Sequence, residues 1–144
     1  MMRRWRGSIV LFACGVVVGG AMLASGAVTG GVVLFLLCSV GAAVLSPRAF
    51  PPSVTDAQAR NATATDGRPI VYWRPGCPFC MRLRASLGRH ATRAHWVDIW
   101  ADPAGAASVR EATGGDETVP TVVFQGQPHV NPNPQLVREM LQRA

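Results

Sequence analysis

The chain has 144 residues and a formal net charge of +6, and all 14 of its basic residues are arginine. No charged residue occurs from Gly7 to Pro47, which excludes that stretch from an ordinary solvated domain and leaves the remainder to build a core. With Arg3, Arg4, Arg6 and Arg48 set aside as flanks of that stretch, ten arginines stand against eight acidic residues, too even a balance to indicate nucleic acid as a partner.

The uncharged stretch is filled with Val, Leu, Ala, Gly and Phe, as in SIVLFACGVVVGGAMLA and AVTGGVVLFLLCSVGAAVL, which is the composition of membrane-spanning helices. As one helix it would run roughly 60 Å, twice the ~30 Å of a hydrocarbon core. Two spans are therefore expected, near residues 8–24 and 28–45, turning at Ser25, Gly26 and Ala27. A cleaved leader is the competing reading, since MMRRWR is a basic start and small residues surround Ala24; a second apolar run follows at once and would remain as an anchor after cleavage. Arg3, Arg4 and Arg6 flank the first span, Arg48 follows the second, and the turn is uncharged, so both ends are expected in the cytoplasm. Trp5 suits an interfacial anchor. Within the spans Cys14 and Cys38 act as small apolar side chains.

Residues 48–67 are rich in Pro, Ala, Thr and Asp without a sustained apolar period. They are expected to be a linker, with a short helix around Thr55 to Arg60. From residue 68 onward the elements alternate quickly. IVYW (70–73) is a short buried strand bounded by prolines. CPFCMRLRASLGRH begins a helix at Cys77 that stops near Gly88 or His90. AHWVDIW (94–100) is a second strand. Asp102 caps a helix with Pro103 at its first position and Gly114 as its stop. TVVF (121–124) and PHV (128–130) are two strands joined by a QGQ turn, and Asn133 with Pro134 opens a final helix. The order β-α-β-α-β-β-α defines an α/β layer fold of thioredoxin-like architecture at 68–144. Its core is expected from Ile70, Val71, Leu83, Leu87, Val97, Ile99, Val109, Val122, Phe124, Leu136 and Leu141. Trp73, Trp96 and Trp100 are expected to pack in the core or at its rim, and His129 to be a solvated hairpin residue.

The chemistry concentrates in WRPGCPFC (73–80). A disulfide between Cys77 and Cys80 as a structural staple would close too short a loop to restrain the unfolded chain. A zinc site would need four ligands, and His90, His95 and His129 lack paired spacing. Redox chemistry fits best. A cysteine at the start of a helix points its sulfur at unpaired amide N–H groups and the positive end of the helix dipole, which favours the thiolate and makes Cys77 the nucleophile. Cys80, one turn on and more buried, is placed to resolve a mixed disulfide on Cys77. Pro78 suits the first turn, and Arg74 adds positive charge near the sulfur. Forty residues later ETVPTVVF places Pro120 at a strand start, where a cis Val119–Pro120 bond is expected.

Together, CPFC at 77–80 and TVPTVVF at 118–124 resemble the dithiol site and cis-proline loop of the glutaredoxin family. The resemblance implies a thiol–disulfide oxidoreductase with Cys77 as nucleophile and Cys80 as resolving thiol. It implies substrate contacts at Arg74, Pro78, Phe79, Thr118, Val119 and Pro120, with the Val119 backbone pairing with the cysteinyl backbone of a bound thiol. Glutathione-using members usually carry Gly-Gly and then an acidic residue after the last hairpin; here the stretch is QGQPHVNPNPQLV. This departure, together with DIW, DP, ETVPTV and VNP, is more similar to the mycoredoxins of actinobacteria, and implies mycothiol rather than glutathione as the co-substrate. Val130, Asn131 and Pro132 are candidates for contacting it by position. No bound cofactor is expected, and the expected partners are protein mixed disulfides and the membrane. Two other classes remain: a module holding an iron–sulfur cluster through Cys77 and added thiols, and an extracytoplasmic disulfide oxidant or isomerase, which requires the opposite topology.

Overall fold

The computed structural model describes residues 2–46 and 50–144, and the chain divides between Ala49 and Phe50 into two compact units. The expected domain edge at Pro47 and the flanking Arg48 lie outside the described residues.

The first unit is a helical hairpin, α1 (Met2–Ala24) and α2 (Val28–Leu45), turning at the predicted Ser25, Gly26 and Ala27. Trp5–Ala24 is long and apolar enough to cross a membrane by length and composition, whereas the apolar part of α2, Val28–Val44, is shorter. The two helices approach closely at small residues: a Cβ on Gly31 would stand 2.8 Å from the Gly19 carbonyl, and one on Gly15 2.5 Å from Cys38 Cβ. Such small-residue contacts are how apolar helices pack where burial from water supplies no drive.

The second unit is built around a four-stranded sheet: β1 (Ile70–Trp73), β2 (His95–Asp98), β3 (Thr121–Phe124) and β4 (Gln127–Val130) in the order β2-β1-β3-β4. β1 and β2 are parallel, joined across α4 (Pro78–Leu87) and a 3₁₀ segment (Gly88–Arg93). β3 runs antiparallel to both β1 and β4, following α5 (Pro103–Thr113), and α6 (Pro134–Arg143) closes the chain. This is the expected thioredoxin-like order. The β3–β4 turn has positive φ at Gln125 (50°) and Gly126 (77°), the paired left-handed conformation that matches strand twist in a tight hairpin. The helix starts follow their local chemistry: Asp102 and Asn133 each accept an amide N–H of the first turn, with proline at the next position.

Three expectations are corrected. The segment 48–67 carries α3 (Asp56–Asp66), opened by a Thr55–Gln58 capping box, with Ala59 fully buried; it is a packed helix of the domain. Ahead of it Phe50 stacks on Trp73 with ring centroids 3.9 Å apart, and the Val54 N–H donates to the Trp96 carbonyl. Second, Leu136 is 38% exposed, while Val137, Met140 and Leu141 face the core; the helical period set by Pro134 turns Leu136 about 100° off that stripe. Third, the second strand is His95–Asp98, shorter than 94–100, because Ile99 and Trp100 enter a turn held by the Trp100 N–H donating to Asp98.

Side chains alternate across the sheet, so its faces carry different layers. Tyr72 points to α3, where its hydroxyl donates to Asp56 Oδ1, and a Cβ on Gly105 of α5 would meet Val97 Cγ1 at 2.6 Å. Burial opposes the charge on Asp56, but hydrogen bonds from Tyr72 and Arg60 outweigh it and hold the carboxyl below its usual range. On the other face Trp96 donates its indole N–H to the Ala91 carbonyl of the 3₁₀ segment. α4, the 3₁₀ segment and α6 pack together there. Trp73 and Trp96 are buried, as expected, while Trp100 lies at the rim.

Candidate active site

The site forms at the C-terminal end of β1, where the chain turns through Arg74, Pro75 and Gly76 into α4. Cys77 is the N-cap of α4: its Sγ accepts the Cys80 N–H at 3.2 Å. Pro78 follows at the first helical position, where a missing N–H removes no helical bond. The Cys77 thiol also donates to the Val119 carbonyl at 3.4 Å. Val119 is joined to Pro120 by the expected cis peptide bond. The Pro120 carbonyl in turn accepts the Asn131 N–H at 2.7 Å, tying the loop before β3 to the end of β4.

The two sulfurs differ sharply in acidity. The Cys77 pKa is pushed down to about 6: the Cys80 thiol donates to its sulfur, the Cys80 and Phe79 amides add their hydrogen bonds, and the Arg74 charge assists, together outweighing burial. Cys80 is fully buried, and its pKa is raised because it spends its proton on Cys77, is desolvated, and would place a second negative charge beside the first. One thiol is thus held ready as thiolate and the other as a proton-bearing neighbour.

An open groove of about 830 Å³ runs past Cys77. Five of the six expected contact residues besides the cysteines line it, namely Arg74, Pro78, Phe79, Thr118 and Val119, and Pro120 lines a hollow of about 200 Å³ on the other side of Phe79. Phe79 is 54% exposed. The Arg74 guanidinium carbon lies 5.8 Å from the Trp100 ring centroid, within cation–π range, which fixes the cation at the groove wall. Of the positional candidates, Asn131 borders both the groove and the hollow and Pro132 the hollow alone, whereas Val130 lines neither. Sequence reasoning missed Trp100, Asp116 and Glu117 as groove residues. Glu117 stood in the quoted ETVP motif, and its position beside Thr118 was the available signal. His129 lies on β4 and borders neither cavity. Among the described residues no three His, Cys, Asp or Glu side chains gather as a metal site.

Comparison with known proteins agrees with this arrangement. The glutaredoxin family model matches residues 70–130, which run from β1 through β4. Two proteins of Mycobacterium tuberculosis, from strains H37Rv and CDC 1551 and each carrying a glutaredoxin name, are 35% identical over 72 residues, covering 49% of this chain and 86% of each relative. A dithiol at a helix start, a cis-proline loop against its sulfur, and relatives matched over most of their length make the chain a member of the glutaredoxin family.

Proposed function

We propose that the protein is a membrane-tethered thiol–disulfide oxidoreductase that reduces mixed disulfides between proteins and mycothiol, with its catalytic domain in the cytoplasm. Thiol–disulfide exchange as such follows from family membership. The observation that carries the mechanism is the pairing of a low-pKa Cys77 with a protonated Cys80 one helical turn away.

The Cys77 thiolate attacks the mycothiol sulfur of the mixed disulfide. The sulfur–sulfur bond to the protein breaks, the protein leaves as a thiolate that takes up a proton, and mycothiol is held on Cys77 as a new disulfide. Either a second mycothiol attacks that disulfide, giving oxidised mycothiol and free Cys77, or Cys80 attacks Cys77, releases mycothiol and leaves a Cys77–Cys80 disulfide for later reduction. The net exchange converts the mixed disulfide and one thiol into the reduced protein and one small-molecule disulfide. The Val119 carbonyl and amide edge, beside Cys77, suits pairing with the cysteinyl backbone of the incoming thiol. The absence of Gly-Gly and an acidic residue after β4 supports mycothiol over glutathione: no carboxylate stands at 131–133 to meet a glutamyl ammonium, and the hollow there offers the amides of Asn131 and Asn133 beside Phe79.

The test is turnover of mycothiol and glutathione mixed disulfides by the full-length protein in detergent, alongside Cys77→Ser and Cys80→Ser. Turnover of the mycothiol substrate that requires Cys77 and partly survives Cys80→Ser is expected. Activity restricted to glutathione disulfides would reject mycothiol, and activity retained in Cys77→Ser would reject the nucleophile. For the compartment, a reporter fused after Ala144 should be active only on the cytoplasmic side; activity on the outer side would reverse the topology.

A further inference from the structure

The charges of the second unit are sorted by sheet face. The α3/α5 layer and the loop after it carry Asp56, Asp66, Asp102, Glu111, Asp116 and Glu117 against three arginines. The opposite layer, α4 with the 3₁₀ segment and α6, carries Arg82, Arg84, Arg89, Arg93, Arg138 and Arg143 against Glu139 alone. A near-neutral domain is therefore strongly dipolar. On the basic layer Arg93, Arg138 and His90 line one surface hollow of about 100 Å³. Arg138 reaches across to the Ser86 carbonyl of α4, so its charge sits at the helix junction.

The entry of the chain lies on this same layer. Phe50, the first residue of the unit, stacks on Trp73 and packs edge-on against Trp96, whose indole meets the 3₁₀ segment. Only four residues, 46–49, separate the end of α2 from Phe50. A domain joined through so short a segment to an anchor read as membrane-spanning, and carrying one cationic layer, is complementary in charge to an anionic leaflet, and cytoplasmic leaflets are anionic.

We propose that the α4/3₁₀/α6 face is a docking surface for anionic lipid headgroups of the membrane in which the chain is anchored, orienting the catalytic domain on the leaflet. The inference rests on the membrane-tethered reading above. Arg89 and Arg93, both exposed, are its outermost contacts, and the hollow between Arg93 and Arg138 receives a lipid phosphate. Each arginine lost should weaken docking roughly fivefold.

The experiment is hydrogen exchange on the full chain in nanodiscs of phosphatidylcholine, and of phosphatidylcholine mixed with phosphatidylglycerol. Exchange at 82–93 and 134–143 should be at least about tenfold slower in the anionic discs, with α3 and α5 alike in both. The difference should vanish in Arg89→Gln/Arg93→Gln, whose remaining exchange should match the parent. Equal exchange in the two discs, or slowing that persists in the double variant, would overturn the docked face. Equal slowing in neutral discs on adding millimolar inorganic phosphate would assign the hollow to a free anion, and slowing there only with an added acidic protein would assign the face to such a partner; either overturns lipid docking. Failure to enter either disc would overturn the anchor itself, and the docked face with it.

Discussion

The clearest test of the site is the acidity of Cys77 when its principal donor is removed. In Cys80→Ala the thiol that donates to Cys77 is lost, while the Cys80 amide, the Phe79 amide and Arg74 stay in place. A hydrogen bond to a charged group contributes about 1.5–3 kcal/mol, and one pH unit corresponds to about 1.36 kcal/mol. The Cys77 midpoint should therefore rise from about 6 by about 1 to 2 pH units. Cys80→Ser keeps a hydroxyl donor and should leave the midpoint close to that of the parent. The assay is thiolate absorbance at 240 nm against pH, in a background with Cys14→Ala and Cys38→Ala so that only the site titrates, cross-checked by the pH dependence of alkylation at Cys77. Since the pKa is lowered, the sign is fixed: reactivity climbs through about pH 6 and levels near neutrality, where an ordinary thiol is still almost wholly protonated. An unchanged midpoint in Cys80→Ala would show that amides and Arg74 carry the shift. A parent midpoint near 9 would refute the account of the site.

Three further outcomes follow from the packing. Phe50→Ala removes the ring stacked on Trp73 and should cost about 3–5 kcal/mol in denaturant unfolding; for the same reason a soluble piece begun at Val54 should be far less stable than one begun ahead of Phe50. Gly105→Ala forces a methyl to 2.6 Å from Val97 Cγ1 and should lower stability by about 1–3 kcal/mol, while the Cys77 midpoint stays put; an unchanged melting temperature would show that α5 shifts freely. Tyr72→Phe removes the donor to Asp56 and should cost about 1–2 kcal/mol. It should also raise the Asp56 pKa, so that the stability Asp56 confers above its unfolded pKa is lost at a higher pH as acid is added, readable from melting temperatures across the acidic range.

Much of this protein was legible in local sequence because local rules fix it. Proline cannot donate a backbone hydrogen bond, so Pro78, Pro103 and Pro134 mark helix starts wherever they are placed. The bounds of β1 and β3 and the turn at Ser25, Gly26 and Ala27 are set by residues within a few positions. The thiol pair was visible for the same reason, since Cys77 and Cys80 share one helical turn. Tertiary structure decided what depends on partners far along the chain. No sustained apolar period in 48–67 announces a core helix, and α3 belongs to the domain because Asp56 accepts the hydroxyl of Tyr72, sixteen residues on, and Ala59 is fully buried. Leu136 and Val137 are equally apolar neighbours, and it is the face that α6 packs inward, through Val137, Met140 and Leu141, that selects Val137 for the core. The groove, too, is tertiary: Arg74, Trp100, Asp116 and Asn131 come from four separate loops, and their convergence on Cys77 follows from the strand order β2-β1-β3-β4, which no local pattern encodes.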